Sequence, residues 1–197
     1  MLQSILKFVE LTNKIRHILR ATLVRGEERQ ENVLEHSCQL ALVCWYFINK
    51  YGLPYDESLC IKYALIHDFV EIYAGDTPAY LKFKEKGYVD DQEIREAHAR
   101  TRLQKEWPEF SELHQLIAMY EIGVDEESRF VHGLDKILPT CNTYLDGGRS
   151  WDIHGLDLPT IEKMKKEHME NTTPEVQRIY EDLMIELKKS PQLFNSV

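Results

Sequence analysis

The sequence lacks several features that would place it in common classes of protein. It has no apolar run long enough to cross a bilayer, since the longest one spans Leu40–Ile48. It has no excess of basic residues, because 24 Lys and Arg face 33 Asp and Glu, which gives a formal net charge of −9. We therefore expect neither a membrane protein nor a protein that binds nucleic acid polymers through their phosphates.

The four cysteines show no C-x-x-C spacing, and three of them lie within apolar segments. This pattern favours buried thiols in a reducing compartment over disulfides. Lys7, Glu10 and Lys14 stand where a signal peptide would have an apolar block. We expect a cytoplasmic protein.

Alternating apolar and polar segments of useful length are also absent, whereas apolar residues recur at helical spacing along almost the whole chain. We predict an all-α fold, a compact single-domain helical bundle over residues 1–197. Its core is expected at about 15–145, with C-terminal helices at about 157–190 packing on it. The predicted helices cover about 3–19, 33–50, 56–73, 92–106, 109–121, 128–145, 159–170 and 174–189, with a surface loop at 82–91.

Four ionisable residues interrupt the most apolar of these helices, namely His36, His67, Asp68 and Asp135. Burying such groups costs several kcal/mol unless a partner or a metal compensates. Two imidazoles and two carboxylates suit one divalent ion such as Mn, Fe, Co, Ni or Zn. A metal with only four protein ligands keeps positions for water and substrate, as in metal-assisted hydrolysis.

Two further carboxylates follow closely along the chain. Glu71 comes one helical turn after Asp68, and Asp76 lies in a Gly-Asp-Thr-Pro turn. Either acid could accept a proton from a water or donate one to a leaving alkoxide. Each also has a structural explanation, Glu71 as a solvated carboxylate and Asp76 as part of a helix-ending turn. His132 is expected to point away from Asp135.

His36, His67-Asp68 and Asp135 together resemble the H…HD…D signature of the HD-domain metal-dependent phosphohydrolases. The surrounding segments 31–37 and 64–76 are similar to the 5′-deoxynucleotidase-type branch, in which HDxxE is followed by a Gly-Asp pair. The resemblance covers about residues 15–145.

This resemblance implies an HD fold that holds one divalent cation through His36, His67, Asp68 and Asp135. It implies hydrolysis of nucleoside 5′-monophosphates, deoxyribonucleotides in particular, to nucleoside and phosphate.

The same similarity assigns roles to three other residues. Glu71 would orient or deprotonate the attacking water, and Asp76 would contact the sugar or assist the proton transfer. Arg20 would hold the phosphate, for which its planar guanidinium is suited. The resemblance also implies a homodimer, with the apolar residues Ile179, Leu183 and Leu187 as a candidate contact.

Two alternatives stay open at this point. One is a nucleoside triphosphohydrolase or nucleotide phosphodiesterase that uses the same metal. A triphosphate would need more cations near the mouth of the site, and the candidates beyond Arg20 are Arg16, Arg25, Lys62, Lys82 and Lys136. The other alternative is a nucleotide-sensing HD protein without turnover, against which the presence of both Glu71 and Asp76 counts.

Overall fold

The computed structural model describes residues 1–84, 88–89 and 91–194. Helices dominate this part of the chain, and the all-α prediction is confirmed. The helices are α1 (Leu2–Ile15), α2 (Val33–Tyr51), α3 (Glu57–Ile66), α4 (Glu71–Ala74), α5 (Leu81–Lys84), α6 (Gln92–Glu106), α7 (Ser111–Ile122), α8 (Glu126–Leu145), α9 (Arg149–His154), α10 (Leu158–Met169) and α11 (Pro174–Lys188), followed by a 3₁₀ turn at Pro191–Phe194. Among the described residues, no helix is both long and apolar enough to span a membrane.

The structure differs from the prediction at a short antiparallel hairpin. Strand β1 (Leu19–Leu23) pairs with β2 (Gln30–Asn32), although the first helix was expected to continue to residue 19. Thr22 is the buried residue of β1, so the strand has no apolar face that alternation could have revealed. The hairpin matters for the site because β1 carries Arg20.

Helix α2 packs one face into the core of the fold. A capping box begins it, in which the Asn32 side chain accepts from the backbone N–H of Glu35 and the Glu35 carboxylate accepts from that of Asn32. Its buried residues, including Leu40 and Cys44, pack in one cluster with residues of α3 and α8. Three apolar helices therefore meet around the site.

The helix predicted over 56–73 is interrupted. Asp56 caps its start as expected, accepting from the backbone N–H of Leu59 at 3.0 Å. However, α3 ends at Ile66, and residues 67–70 form turns before α4 begins at Glu71. The apolar period continues through Phe69 and Val70, which are both buried, so the pattern gave no sign of the break.

The C-terminal helices α10 and α11 form close to the predicted positions, whereas α9 was not predicted. Leu187 of α11 is fully buried, and Ile179 and Leu183 pack against the core. These positions therefore offer little surface to a dimer contact, because Leu187 is fully buried and Ile179 and Leu183 are partly buried against the core. In the predicted loop at 82–91, α5 is helical through Lys84, and positions 85–87 and 90 lie outside the described residues.

Candidate active site

The four predicted metal ligands come together from three parts of the fold. His36 lies on α2, His67 and Asp68 lie in the turn after α3, and Asp135 lies on α8. One nitrogen or oxygen atom from each of the four lies within 4.8 Å of the others. His36 Nε2 is 2.9 Å from Asp135 Oδ1, and His67 Nε2 is 3.0 Å from Asp68 Oδ2.

The surroundings of this cluster fit a divalent cation. His67 Nδ1 lies 2.8 Å from the carbonyl oxygen of Ala64, which orients Nε2 toward the carboxylates. Nε2 itself is buried and close to two carboxylate oxygens, 3.0 Å from Asp68 Oδ2 and 3.5 Å from Asp135 Oδ1, but neither contact has the geometry of a hydrogen bond. Burial would lower the pKa of His67, but the charges of Asp68 and Asp135 raise it to about 10. The two carboxylates thus create a negative potential that a cation would neutralise.

Glu31 is a residue of this site that the sequence analysis did not single out. It lies on β2 and is buried, with Oε2 at 3.6 Å from His36 Nδ1 and 3.7 Å from Arg20 Nε. A carboxylate behind an imidazole is the usual arrangement that orients a metal-binding histidine. Its place beside His36 could not be read from the sequence, because it depends on the pairing of β1 and β2.

Arg20 points from β1 into the same cluster. Its Nη1 donates to Asp68 Oδ2 at 2.6 Å and lies 3.9 Å from Asp76 Oδ1. Burial would lower the pKa of Arg20, but the neighbouring carboxylates outweigh burial and raise it. Arg20 is therefore a fixed positive charge at the edge of the cluster.

Glu71 and Asp76 both line the space beside the cluster. Glu71 is buried at the start of α4, and its Oε2 has no hydrogen-bond partner among the described residues. Burial, together with the charges of Asp68 and Asp76, raises the pKa of Glu71 to about 9. Burial also raises the pKa of Asp76, although Arg20 acts in the opposite direction. Such environments are typical of carboxylates that exchange protons in active sites.

A cavity of about 540 Å³ joins these groups. Arg20, Asp68, Glu71, Asp76 and Asp135 all line it, so the predicted catalytic and binding residues face one space. Its size is within the usual range for small-molecule sites.

The cavity also contains side chains that the sequence analysis had set aside or missed. His132 lines the same cavity as Asp135, so the expectation that it points away was wrong; its ring lies 5.9 Å from that of Tyr120. Burial, together with the charge of Lys136, lowers the pKa of His132 to about 4. Lys165 of α10 also lines the cavity. It stands in a lysine-rich stretch that looks like a solvated helix face, so the sequence gave no signal for it.

Comparison with known proteins identifies the family. A family model described as "HD domain" matches residues 12–177, most of the chain. The chain belongs to the HD domain family.

Relatives of this HD-domain chain include curated enzymes. It is 29% identical to "5'-deoxynucleotidase HDDC2" of Mus musculus over 154 residues, which cover 76% of this chain and 71% of the relative. It is 31% identical to a "5'-deoxynucleotidase" of Shewanella oneidensis over 96 residues, which cover 44% of this chain and 49% of that protein.

Solved structures agree with this assignment. The crystal structure of a "Predicted metal-dependent phosphohydrolase" from Magnetospirillum magnetotacticum MS-1 matches with a TM-score of 0.79 and 27% identity. The match covers 97% of this chain and 94% of that one. The predicted resemblance to HD phosphohydrolases of the 5′-deoxynucleotidase type is confirmed, and the chain is an enzyme of the phosphohydrolase class.

Proposed function

We propose that this HD-domain enzyme hydrolyses nucleoside 5′-monophosphates, deoxyribonucleotides in particular, to nucleoside and inorganic phosphate. The observation that carries the proposal is the convergence of a four-residue metal cluster with Arg20 and Glu71 on one cavity. The deoxynucleotidase names of the curated relatives support the choice of substrate.

His36, His67, Asp68 and Asp135 would hold one divalent cation. Nitrogen and oxygen donors without a thiolate favour Mn, Fe, Co, Ni or Zn over Ca or Mg. When bound, such a cation supplies Lewis-acid chemistry at the phosphoryl group.

Arg20 and Glu71 would act on the phosphate and on the attacking water. The guanidinium of Arg20 can donate two parallel hydrogen bonds to phosphate oxygens and offset their growing charge. Glu71 orients the water through its unpartnered Oε2 and accepts a proton as the oxygen–phosphorus bond forms. The positive charge of a bound cation would lower the pKa of Glu71 from its raised value and so make the carboxylate form available to accept the proton.

Asp76 would act on the leaving group. When the bond between phosphorus and O5′ breaks, the leaving alkoxide needs a proton. Asp76 lines the cavity, and burial raises its pKa, so its carboxyl group is suited to deliver that proton. The products are a nucleoside with a free 5′-hydroxyl and inorganic phosphate.

The direct test is phosphate release by metal-stripped protein after Mn, Co, Ni, Zn or Mg has been restored. The panel contains ribo- and deoxyribonucleoside mono- and triphosphates. We expect metal-dependent orthophosphate from monophosphates, abolished in His67→Ala and retained in the control His98→Ala, whose residue is exposed. Tripolyphosphate release from triphosphates, or no turnover by cation-loaded protein, would contradict the proposal.

We also propose that the chain acts as one domain and as a cytoplasmic enzyme. Residues of α10, including Ile161 and Met164, line the same cavity as the metal cluster, which supports a single functional unit. Cys44 and Cys60 are buried free thiols, which supports a reducing compartment. Cell fractionation tests the location, and an enzyme truncated before α10 should lose activity.

A homodimer is proposed on a different surface from the one first expected. Leu42, Trp45 and Tyr46 on α2 are 56%, 50% and 64% exposed, and a second copy could cover this apolar face. Sedimentation equilibrium should show a dimer that Trp45→Lys weakens. A monomer at all concentrations would contradict this proposal.

A further inference from the structure

A smaller recess opens beside the active-site cavity. It has a volume of about 140 Å³, and Lys82, Lys136, Lys165 and His168 line it together with neutral residues. We call it the lysine recess. It shares part of its wall with the active-site cavity, including Lys136 and Lys165. A group bound in the recess would therefore lie next to a group bound at the metal cluster.

The lysine recess concentrates positive charge in a protein whose formal net charge is −9. None of the described residues that line it is Asp or Glu. Lys136 stands where the two spaces meet, with Nζ at 2.7 Å from Asp135 Oδ2. Lys165 Nζ donates to the carbonyl oxygen of Lys136 at 2.5 Å, and within the described chain no carboxylate lies within 4.0 Å of it.

Two of the lining groups, Lys165 and His168, have lowered pKa values that agree with a positive potential in the recess, whereas at Lys136 the charges of Asp135 and Asp68 outweigh burial and raise the pKa. Burial, together with the charge of Lys136, lowers the pKa of Lys165 to about 8. Burial lowers the pKa of His168 to about 4, and the charges of Lys136, Lys165 and Lys82 act in the same direction. An anion in the recess would relieve this repulsion between cations.

We propose that the lysine recess binds a second phosphate group of the nucleotide while Arg20 and the metal cluster hold the phosphate that is cleaved. Lysine ammonium groups are common phosphate ligands, and the volume admits a tetrahedral anion with its waters. The inference rests on the proposed phosphohydrolase function: 5′-monophosphates remain substrates, and a nucleotide that carries a second phosphate group is preferred.

The kinetic test compares deoxynucleoside 5′-monophosphates with the matching 3′,5′-bisphosphates and 5′-diphosphates on the metal-loaded enzyme. The wild type should favour one doubly phosphorylated form in kcat/KM by about tenfold or more, as expected for one charge-assisted contact. Lys165→Gln should reduce this preference ratio, and so should Lys82→Gln, an exposed position with little risk to folding. The control Lys166→Gln changes the neighbouring exposed lysine of α10 and should keep the ratio.

A wild type that hydrolyses monophosphates but has no preference for a second phosphate would overturn the recess proposal and leave the proposed function intact. The same holds if the preference survives Lys165→Gln and Lys82→Gln.

A second measurement does not depend on turnover. Calorimetric titration with inorganic phosphate should show salt-sensitive binding of two phosphates per wild-type chain. Lys82→Gln should weaken one of the two binding events about tenfold, and Lys166→Gln should weaken neither.

If no nucleotide is hydrolysed, the proposed function fails, and this titration alone decides whether the recess binds phosphate. If both phosphates bind equally well to wild type and Lys82→Gln, the recess proposal fails. Two binding events together with no kinetic preference would assign the recess to free phosphate and overturn the substrate inference.

Discussion

Arg20 Nη1 donates to Asp68 Oδ2 across 2.6 Å, although the two residues are 48 positions apart in the chain. The candidate phosphate ligand is therefore hydrogen-bonded directly to a candidate metal ligand. This contact depends on β1, which carries Arg20 past the turn that follows α3. It places the positive charge where a phosphate bound at the cluster would need it.

Arg20→Gln should lower kcat/KM for the nucleotide by roughly ten- to hundredfold, because it removes charge-assisted hydrogen bonds to phosphate. Arg20→Lys should recover part of the loss, since it keeps the charge but not the planar fork. Steady-state kinetics with circular dichroism as a folding check measures this. Arg25→Gln, at an exposed position, is the matched control. Equal kcat/KM in wild type and Arg20→Gln would refute the phosphate role.

Glu71→Gln should lower kcat by roughly a hundredfold or more while the protein still binds its cation. The substitution keeps the shape of the side chain but removes the group that accepts the proton. Single-turnover phosphate release, paired with metal content, separates a chemical role from a structural one. Glu109→Gln changes an exposed glutamate and should leave kcat unchanged. A Glu71→Gln enzyme with normal kcat would assign Glu71 a structural role.

Asp125 should make the stability of the protein depend on pH. Burial would raise its pKa, but hydrogen bonds from Tyr63 and Ser128 outweigh burial and lower it. A carboxylate whose pKa is lower in the folded state stabilises above its unfolded pKa of about 3.9. That stabilisation is lost as the pH falls through the folded value.

Urea denaturation at pH 7 and near pH 3 tests this prediction. Asp125→Asn should destabilise at pH 7 by about 1 kcal/mol, because the amide can still cap α8 but loses the charge-assisted hydrogen bond from Tyr63. It should also show a smaller loss on acidification than wild type. Asp182→Asn, at an exposed position, should behave like wild type. Parallel pH dependence of Asp125→Asn and wild type would contradict the prediction.

Gly133 allows α8 to approach the segment that leads into α11. A Cβ at this position would lie 2.6 Å from Val176 Cγ1 and 2.8 Å from Thr172 Cγ2. Gly133→Ala should therefore lower the free energy of unfolding by about 1–3 kcal/mol, although alanine is the better helix former. Val176→Ala should lower the free energy of unfolding less in the Gly133→Ala protein than in wild type, because it removes one of the two clashing side chains. A stabilised Gly133→Ala protein would show that the neighbouring side chains move aside.

The residues of the site were easier to predict from the sequence than the helices and strands that carry them. His36, His67, Asp68 and Asp135 were visible because ionisable residues in apolar helices need a compensating partner, and the structure brings their ligand atoms together. Their role as metal ligands, like the roles of Glu71, Asp76 and Arg20, remains a prediction.

The features that the sequence did not reveal depend on long-range packing. The break after α3 falls inside a continuous apolar period, so periodicity could not locate it. Lys165 enters the cavity because α10 packs against α8, and nothing within its lysine-rich segment distinguishes it from Lys166. Glu31 lies beside His36 because of the β1–β2 hairpin, whose strands are too short to show an alternation of apolar and polar residues.

The central claim is that the four clustered residues bind one divalent cation. Elemental analysis of purified protein by mass spectrometry tests it most directly, with wild type, His36→Ala and the control His98→Ala compared after equal exposure to the same metals. We expect close to one ion per chain in wild type and His98→Ala, and a marked loss in His36→Ala. An equal metal content in all three proteins would contradict it.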